Sequence, residues 1–174
     1  MVQLLNLPPV WLLLSVALIL ASCNAQNSTE DPEIDLVSRL LTERECLECD
    51  LADADLSGQD LQEVVLNRSN LRGANLQGAN LENALLDSVD LSGANLNGTN
   101  LTGTALTESN LQNSDLTGAN LTEAYLRGSD LTGAELKRVI LDRADLSEVQ
   151  VELVQLEAAA SAKETTLPAA DLSE

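Results

Sequence analysis

From Leu51 to Leu146 every fifth residue is a leucine, without one miss. Taking each leucine as the centre of a unit, the residue two before it is small in nearly every case. Ala54, Ser69, Ala74, Ala84, Ser114 and Ala134 are examples, and Gln59 is the odd one. The residue immediately before the leucine is usually Asp or Asn, and the two after it are polar or Gly. A period of five is neither the 3.6 of a helix nor the 2.0 of a strand, so either element would scatter these leucines over all its faces. The pattern makes sense if each unit forms one side of a coil, with the leucine and the small residue turned inward. Among the units that break the Asp/Asn rule, Val65, Leu85, Ala105 and Tyr125 lie 20 residues apart. The chain is therefore expected to return to the same side every four units, as a square coil would.

The Ala-(Asp/Asn)-Leu-x-x signature, as in Ala74-Asn75-Leu76-Gln77-Gly78 and Ala94-Asn95-Leu96-Asn97-Gly98, resembles the pentapeptide-repeat family. The resemblance spans residues 47–151. It implies an all-β solenoid, a right-handed quadrilateral β-helix of about five coils stacked at about 4.8 Å each. It is almost silent on activity. A coil of this kind buries its apolar side only by stacking, so both ends need caps.

Residues 31–46 read as the N-terminal cap. Asp31 is a helix N-cap, Pro32 suits the first helical position, and Ile34, Val37, Leu40 and Leu41 follow at helical spacing. The helix is expected from Pro32 to about Arg44. Residues 152–174 read as the C-terminal cap and tail: Glu152 to Lys163 is Ala- and Glu-rich and suits a short helix. Thr165 to Glu174 is expected to be loose, with Ala170-Asp171-Leu172-Ser173 one residue out of phase with the rod.

Met1 to Ser22 contains no charged residue, and Leu7 to Ala21 is apolar apart from Ser15. The run is shorter than the ~20 residues of a membrane span and suits a signal-peptide core, with only the amino terminus as positive charge. Leu20-Ala21-Ser22-Cys23 resembles the lipobox of bacterial lipoproteins. That resemblance implies removal of residues 1–22 and lipidation of Cys23, with 23–30 as a tether and the membrane as a partner through the anchor. Cleavage after Ala25, giving a soluble exported protein of the periplasm or thylakoid lumen, and a retained membrane anchor are the alternatives.

Cys46-Leu47-Glu48-Cys49 is the one motif with redox chemistry open to it. Cys46 falls at a centre position and Cys49 at a small-residue position, so both are expected to face the core of the first coil. A redox disulfide, a structural disulfide and two buried thiols stay open. The chain has no His to complete a zinc site with the pair, and no EF-hand spacing supports calcium; no cofactor or metal is expected.

On the outer faces, Asp50, Asn70, Asp90, Asn110 and Asp130 form one column and Asn80, Asn100 and Asn120 another. Both are expected to be structural ladders. The Val65, Leu85, Ala105, Tyr125 column reads either as half-buried packing, covered by a terminal segment, or as a partner-binding ridge with Tyr125 as its anchor. The formal net charge of −19 argues against nucleic acid or an anionic membrane face as a direct ligand. No glycine phosphate loop and no activated Ser or Cys set can be read, so catalysis is not expected. The chain reads as one domain and as a non-enzymatic, exported, lipid-anchored rod that binds a protein partner. The helix, C-x-x-C, solenoid order also resembles exported cyanobacterial members of the family. Other members are acidic rods that bind DNA gyrase, which gives a DNA-mimicking alternative; a thiol–disulfide protein using Cys46 and Cys49 is a third.

Overall fold

A computed structural model describes residues 36–168. The leader, Cys23, the tether, Asp31, Pro32 and residues 169–174 lie outside the described residues. Twenty parallel bridges join single residues on successive coils, and 18 of them connect positions 20 apart. They sort into four columns, one per side. Face A holds Glu45, Val65, Leu85, Ala105, Tyr125 and Asp145; face B runs from Asp50 to Gln150, face C from Asp55 to Glu135, and face D from Asp60 to Ile140. The square coil expected from the 20-residue period is the observed one.

The period of five follows from a complete accounting of backbone donors, shown here for the units centred on Leu56 and Leu76. Leu56 N–H donates to Asn75 O at 2.8 Å and Gly58 N–H to Gln77 O at 2.9 Å, both on the next coil. Asn75 N–H donates back to Ala54 O at 2.9 Å, and Ala54 N–H closes a turn onto Leu51 O at 3.2 Å. One donor per unit is left, the N–H just after the leucine. The Asp or Asn before the leucine takes it: Ser57 N–H donates to Asp55 Oδ1 at 3.1 Å, and Asn97 N–H to Asn95 Oδ1 at 3.1 Å. This is an Asx turn, and it explains the Asp/Asn preference.

The third residue of each turn has positive φ, the pattern of a type II turn, which favours glycine. All nine glycines of the chain stand at this position. Glu63, Asn83 and Glu108 adopt the same conformation with a side chain, at φ 56°, 57° and 56°.

Inside, the leucines from Leu51 to Leu146 are all buried. The small position sits beside them, and where it is Ser or Thr its hydroxyl is satisfied within the wall. Thr99 Oγ1 donates to Leu76 O at 2.8 Å, Thr104 Oγ1 to Leu81 O at 2.7 Å and Ser109 Oγ to Leu86 O at 2.7 Å, each on the coil before. A buried hydroxyl without such a partner would cost about 1–3 kcal/mol.

Helix α1, Leu36–Glu43, precedes the first coil and packs against the core. Leu40 is buried, and Val37 and Leu41 pack against the core. Arg44 N–H bonds Leu40 O at 2.9 Å with Arg44 at φ 59°, a left-handed stop that turns the chain into Glu45 on face A. At the other end, α2 spans Leu153–Leu156. Gln155 Nε2 donates to Leu131 O and Ala134 O at 3.1 and 2.7 Å.

Thr165 and Thr166, expected at the start of a loose tail, are part of the coil. After α2 the chain re-enters the coil, with Ser161 bridging Ile140 and Thr166 bridging Asp145, each 21 residues on. Thr165 Oγ1 donates to Leu141 O at 2.5 Å. The extra residue is absorbed around α2. Ser161 and Thr166 thus stand in the coil one residue out of the leucine frame.

Candidate protein-interaction face

Three of the four faces present polar ladders. On face B, Asn70 Nδ2 donates to Asp50 Oδ1 at 2.9 Å and Asn110 Nδ2 to Asp90 Oδ1 at 3.1 Å, so each of these carboxylates meets an amide on the next coil. On face D, Asn100 Nδ2 donates to Asn80 Oδ1 at 2.9 Å, while Asn120 Nδ2 turns to Thr102 Oγ1 at 2.9 Å. Several carboxylates are held below their ordinary range by the same turns. The hydroxyl of Thr117, then its N–H, does this for Asp115, and Ser147 does the same for Asp145.

Face A differs. Val65, Leu85, Ala105 and Tyr125 stand on four successive coils, bridged in order, with Glu45 below and Asp145 above. Val65 and Ala105 are half-buried, whereas Leu85 is 42% and Tyr125 56% exposed. At about 4.8 Å per coil the column is about 14 Å long. The described residues leave it open to solvent, so the covering segment weighed from the sequence is not among them. Beside it lies a shallow groove of about 320 Å³ lined by Leu47, Glu48, Asn67, Arg68, Asp87 and Ser88.

An apolar residue before the leucine removes the Asx acceptor, and the rod compensates in a way that sequence reading missed. Asp87 N–H donates to Asn67 Oδ1 at 2.9 Å, and Thr107 N–H to Asp87 Oδ1 at 3.0 Å, in both cases one coil down. The Asp/Asn of these units has moved from before the leucine to after it. Val65-Leu66-Asn67 and Leu85-Leu86-Asp87 carry that signal openly.

Cys46 and Cys49 are both buried and joined to each other, with Cα atoms 5.6 Å apart. Ser69 stitches this turn to the next coil. Its Oγ donates to Cys46 O at 2.7 Å and accepts from Cys49 N–H at 3.0 Å. Cys23 lies outside the described residues. Among the described residues no group of His, Cys, Asp or Glu is placed to hold a metal ion, and no helix is long and apolar enough to cross a membrane.

A filled four-sided solenoid whose chemistry is confined to its outer faces is a repeat protein of the β-helix class. A family model described as pentapeptide repeats (8 copies) matches residues 49–87, 84–122 and 119–156, and the chain belongs to that family. That family indicates no catalytic chemistry. A search of curated proteins finds no match. Among solved structures, a pentapeptide repeat protein from the cyanobacterium Cyanothece is 27% identical, with a TM-score of 0.53 over 75% of this chain and 96% of that one. A pentapeptide repeat protein from Nostoc is 26% identical over 76% of this chain and 93% of that one, with a TM-score of 0.38. One from the Arabidopsis thaliana thylakoid lumen is 29% identical over 64% and 72%, with a TM-score of 0.32.

Proposed function

We propose that this protein is a non-enzymatic, exported interaction rod that docks a protein partner on face A, through Val65, Leu85, Ala105 and Tyr125. The observation that carries the reading is the exposure of Leu85 and Tyr125 in one register with Val65 and Ala105, whereas other exposed apolar side chains, such as Leu47 and Ile140, do not share a column with one another. The core does not need them there, because the inward leucines already fill it. The relocated Asx acceptors support the same reading, since at two of the column's four units, those of Leu85 and Ala105, they keep the interrupted backbone donor satisfied. Tyr125 supplies large contact area at low entropic cost, as binding anchors do.

Export, and lipidation of Cys23, rest on the sequence of residues 1–23. A single acyl chain holds a protein only marginally, so the anchor needs at least two.

Crosslinking capture from native membranes tests the proposal, comparing wild type with Val65→Ser/Leu85→Ser/Tyr125→Ser after circular dichroism shows that the variant folds. One partner captured by wild type and lost from the folded variant supports it. Capture unchanged by the variant refutes it. Intact mass of the same sample reads the fate of Cys23, where an unmodified thiol or a chain beginning at Gln26 would refute the anchor.

A further inference from the structure

Face A carries a second regularity, in charge. Between Arg72 and Arg127 the chain has no lysine or arginine, but it has six carboxylates. Three of these border the middle of the apolar column. Glu82 stands in the corner before Leu85, where its carboxylate also accepts from Asn100 Nδ2 of face D at 3.3 Å, Asp87 in the corner after it, and Glu108 in the corner after Ala105. The cations near the column's ends are already engaged, Arg68 at 3.6 Å from Glu48 and Arg127 at 2.8 Å from Glu148. The strip is therefore apolar along its centre and purely acidic along its central margins.

We propose that the occupant of face A is a cationic amphipathic helix of about ten residues, a segment of the partner protein lying along the rod axis. This rests on reading face A as the interaction face and names the chemistry of what it takes.

The spacing selects a helix. The four rungs lie at about 0, 4.8, 9.6 and 14.4 Å. Helix positions i, i+3, i+7 and i+10 rise by about 0, 4.5, 10.5 and 15 Å, within about 1 Å of the rungs throughout. A strand places same-face residues about 6.7 Å apart and is out of step by the second rung. Strand addition is not on offer either, because the backbone here is spent within the coil. Leu85 N–H bonds Val64 O, Ala105 N–H bonds Ala84 O, and Leu106 N–H bonds Tyr125 O, at 2.8, 3.0 and 2.7 Å. Lys or Arg flanking the helix's apolar stripe would meet Glu82 on one margin and Asp87 and Glu108 on the other. A second copy of this acidic chain, or an anionic lipid surface, would meet like charge.

Calorimetric titration of the full-length protein with two synthetic helical peptides tests this. Both peptides carry the same leucine stripe, one flanked by lysines and the other by glutamates. The lysine peptide should bind, weaken as salt rises, and bind at least ten times more tightly than the glutamate peptide. Glu82→Gln/Asp87→Asn/Glu108→Gln should weaken the lysine peptide about tenfold. In that variant the Asp87→Asn change keeps an amide Oδ1 for Thr107 N–H, so the melting temperature serves as the folding control. Leu85→Ser/Tyr125→Ser should abolish binding. Equal binding of the two peptides, no loss on neutralisation, or no binding at all overturns the helix proposal. Failure of face A as a docking site reads out separately, as partner capture that survives the serine variant.

Discussion

Replacing Gly103 with alanine tests the turn chemistry that sets the repeat. Gly103 has φ +65°, and a Cβ there would lie 2.5 Å from Asn83 Oδ1, on the coil before. Three terms combine. The left-handed conformation costs an L-residue about 1–2 kcal/mol. Lower unfolded-state entropy returns about 0.4–1 kcal/mol. Swinging the Asn83 amide aside, off its preferred rotamer, costs about 0.5–1.5 kcal/mol. The net loss should be about 1–2 kcal/mol. Gly118, at φ +71° with nothing within 4 Å of its Cβ position, lacks the third term. Gly118→Ala should therefore cost about 1 kcal/mol less than Gly103→Ala. Urea unfolding followed by far-UV circular dichroism measures both, and a cycle with Asn83→Ala isolates the contact. The reasoning is refuted if the two glycine variants cost the same, or if Gly103→Ala is equally costly in the Asn83→Ala background.

The relocated acceptor at Asn67 predicts a loss of about 1 kcal/mol for Asn67→Ala, with Asn67→Asp near neutral, both read by urea unfolding. The Thr117 hydroxyl and N–H hold the Asp115 carboxyl below its ordinary range. A depressed carboxylate stabilises the fold above its unfolded pKa of about 3.9 and loses that contribution as pH falls through the folded value. Asp115→Ala should therefore lower the melting temperature at pH 7 and lose this effect near pH 2 by thermal melts. The buried Cys46–Cys49 link predicts that native protein resists alkylation at both positions, and that Cys46→Ser/Cys49→Ser lowers stability by about 2 kcal/mol in urea unfolding.

The repeat frame, the four faces and the identity of the inward residues were legible in the sequence. The leucine period and the 20-residue return depend only on chain geometry. What lay beyond it were features set by contacts between coils. The Asx turns are hydrogen bonds to a donor that is seen to lack a partner only once the coil bonds have been assigned. Reading the Asp/Asn columns as stacked ladders caught the Asn70–Asp50 contact and missed the Ser57–Asp55 one. The shift of acceptor to Asn67 and Asp87 was visible as residues but not as a mechanism, because its partner is 20 residues away. Ser161, read as part of a capping helix, and Thr166, read as loose tail, were misplaced because a one-residue insertion around α2 moves them out of the leucine frame while leaving them in the coil. The ridge itself was placed correctly in register, and its openness required the surrounding chain to be in place.

The most direct test of face A is site-specific photocrosslinking in native membranes. A photoreactive side chain would replace Ala105, at the centre of the ridge, or Asn95, on face C. Both positions follow buried small residues; replacing Asn95 gives up its bonds with Asn97 N–H and Asn75, so circular dichroism of each variant checks that the coil is kept. Docking on face A predicts a discrete adduct from position 105 and none from position 95. Equal adducts from both, or an adduct from position 95 alone, would contradict it.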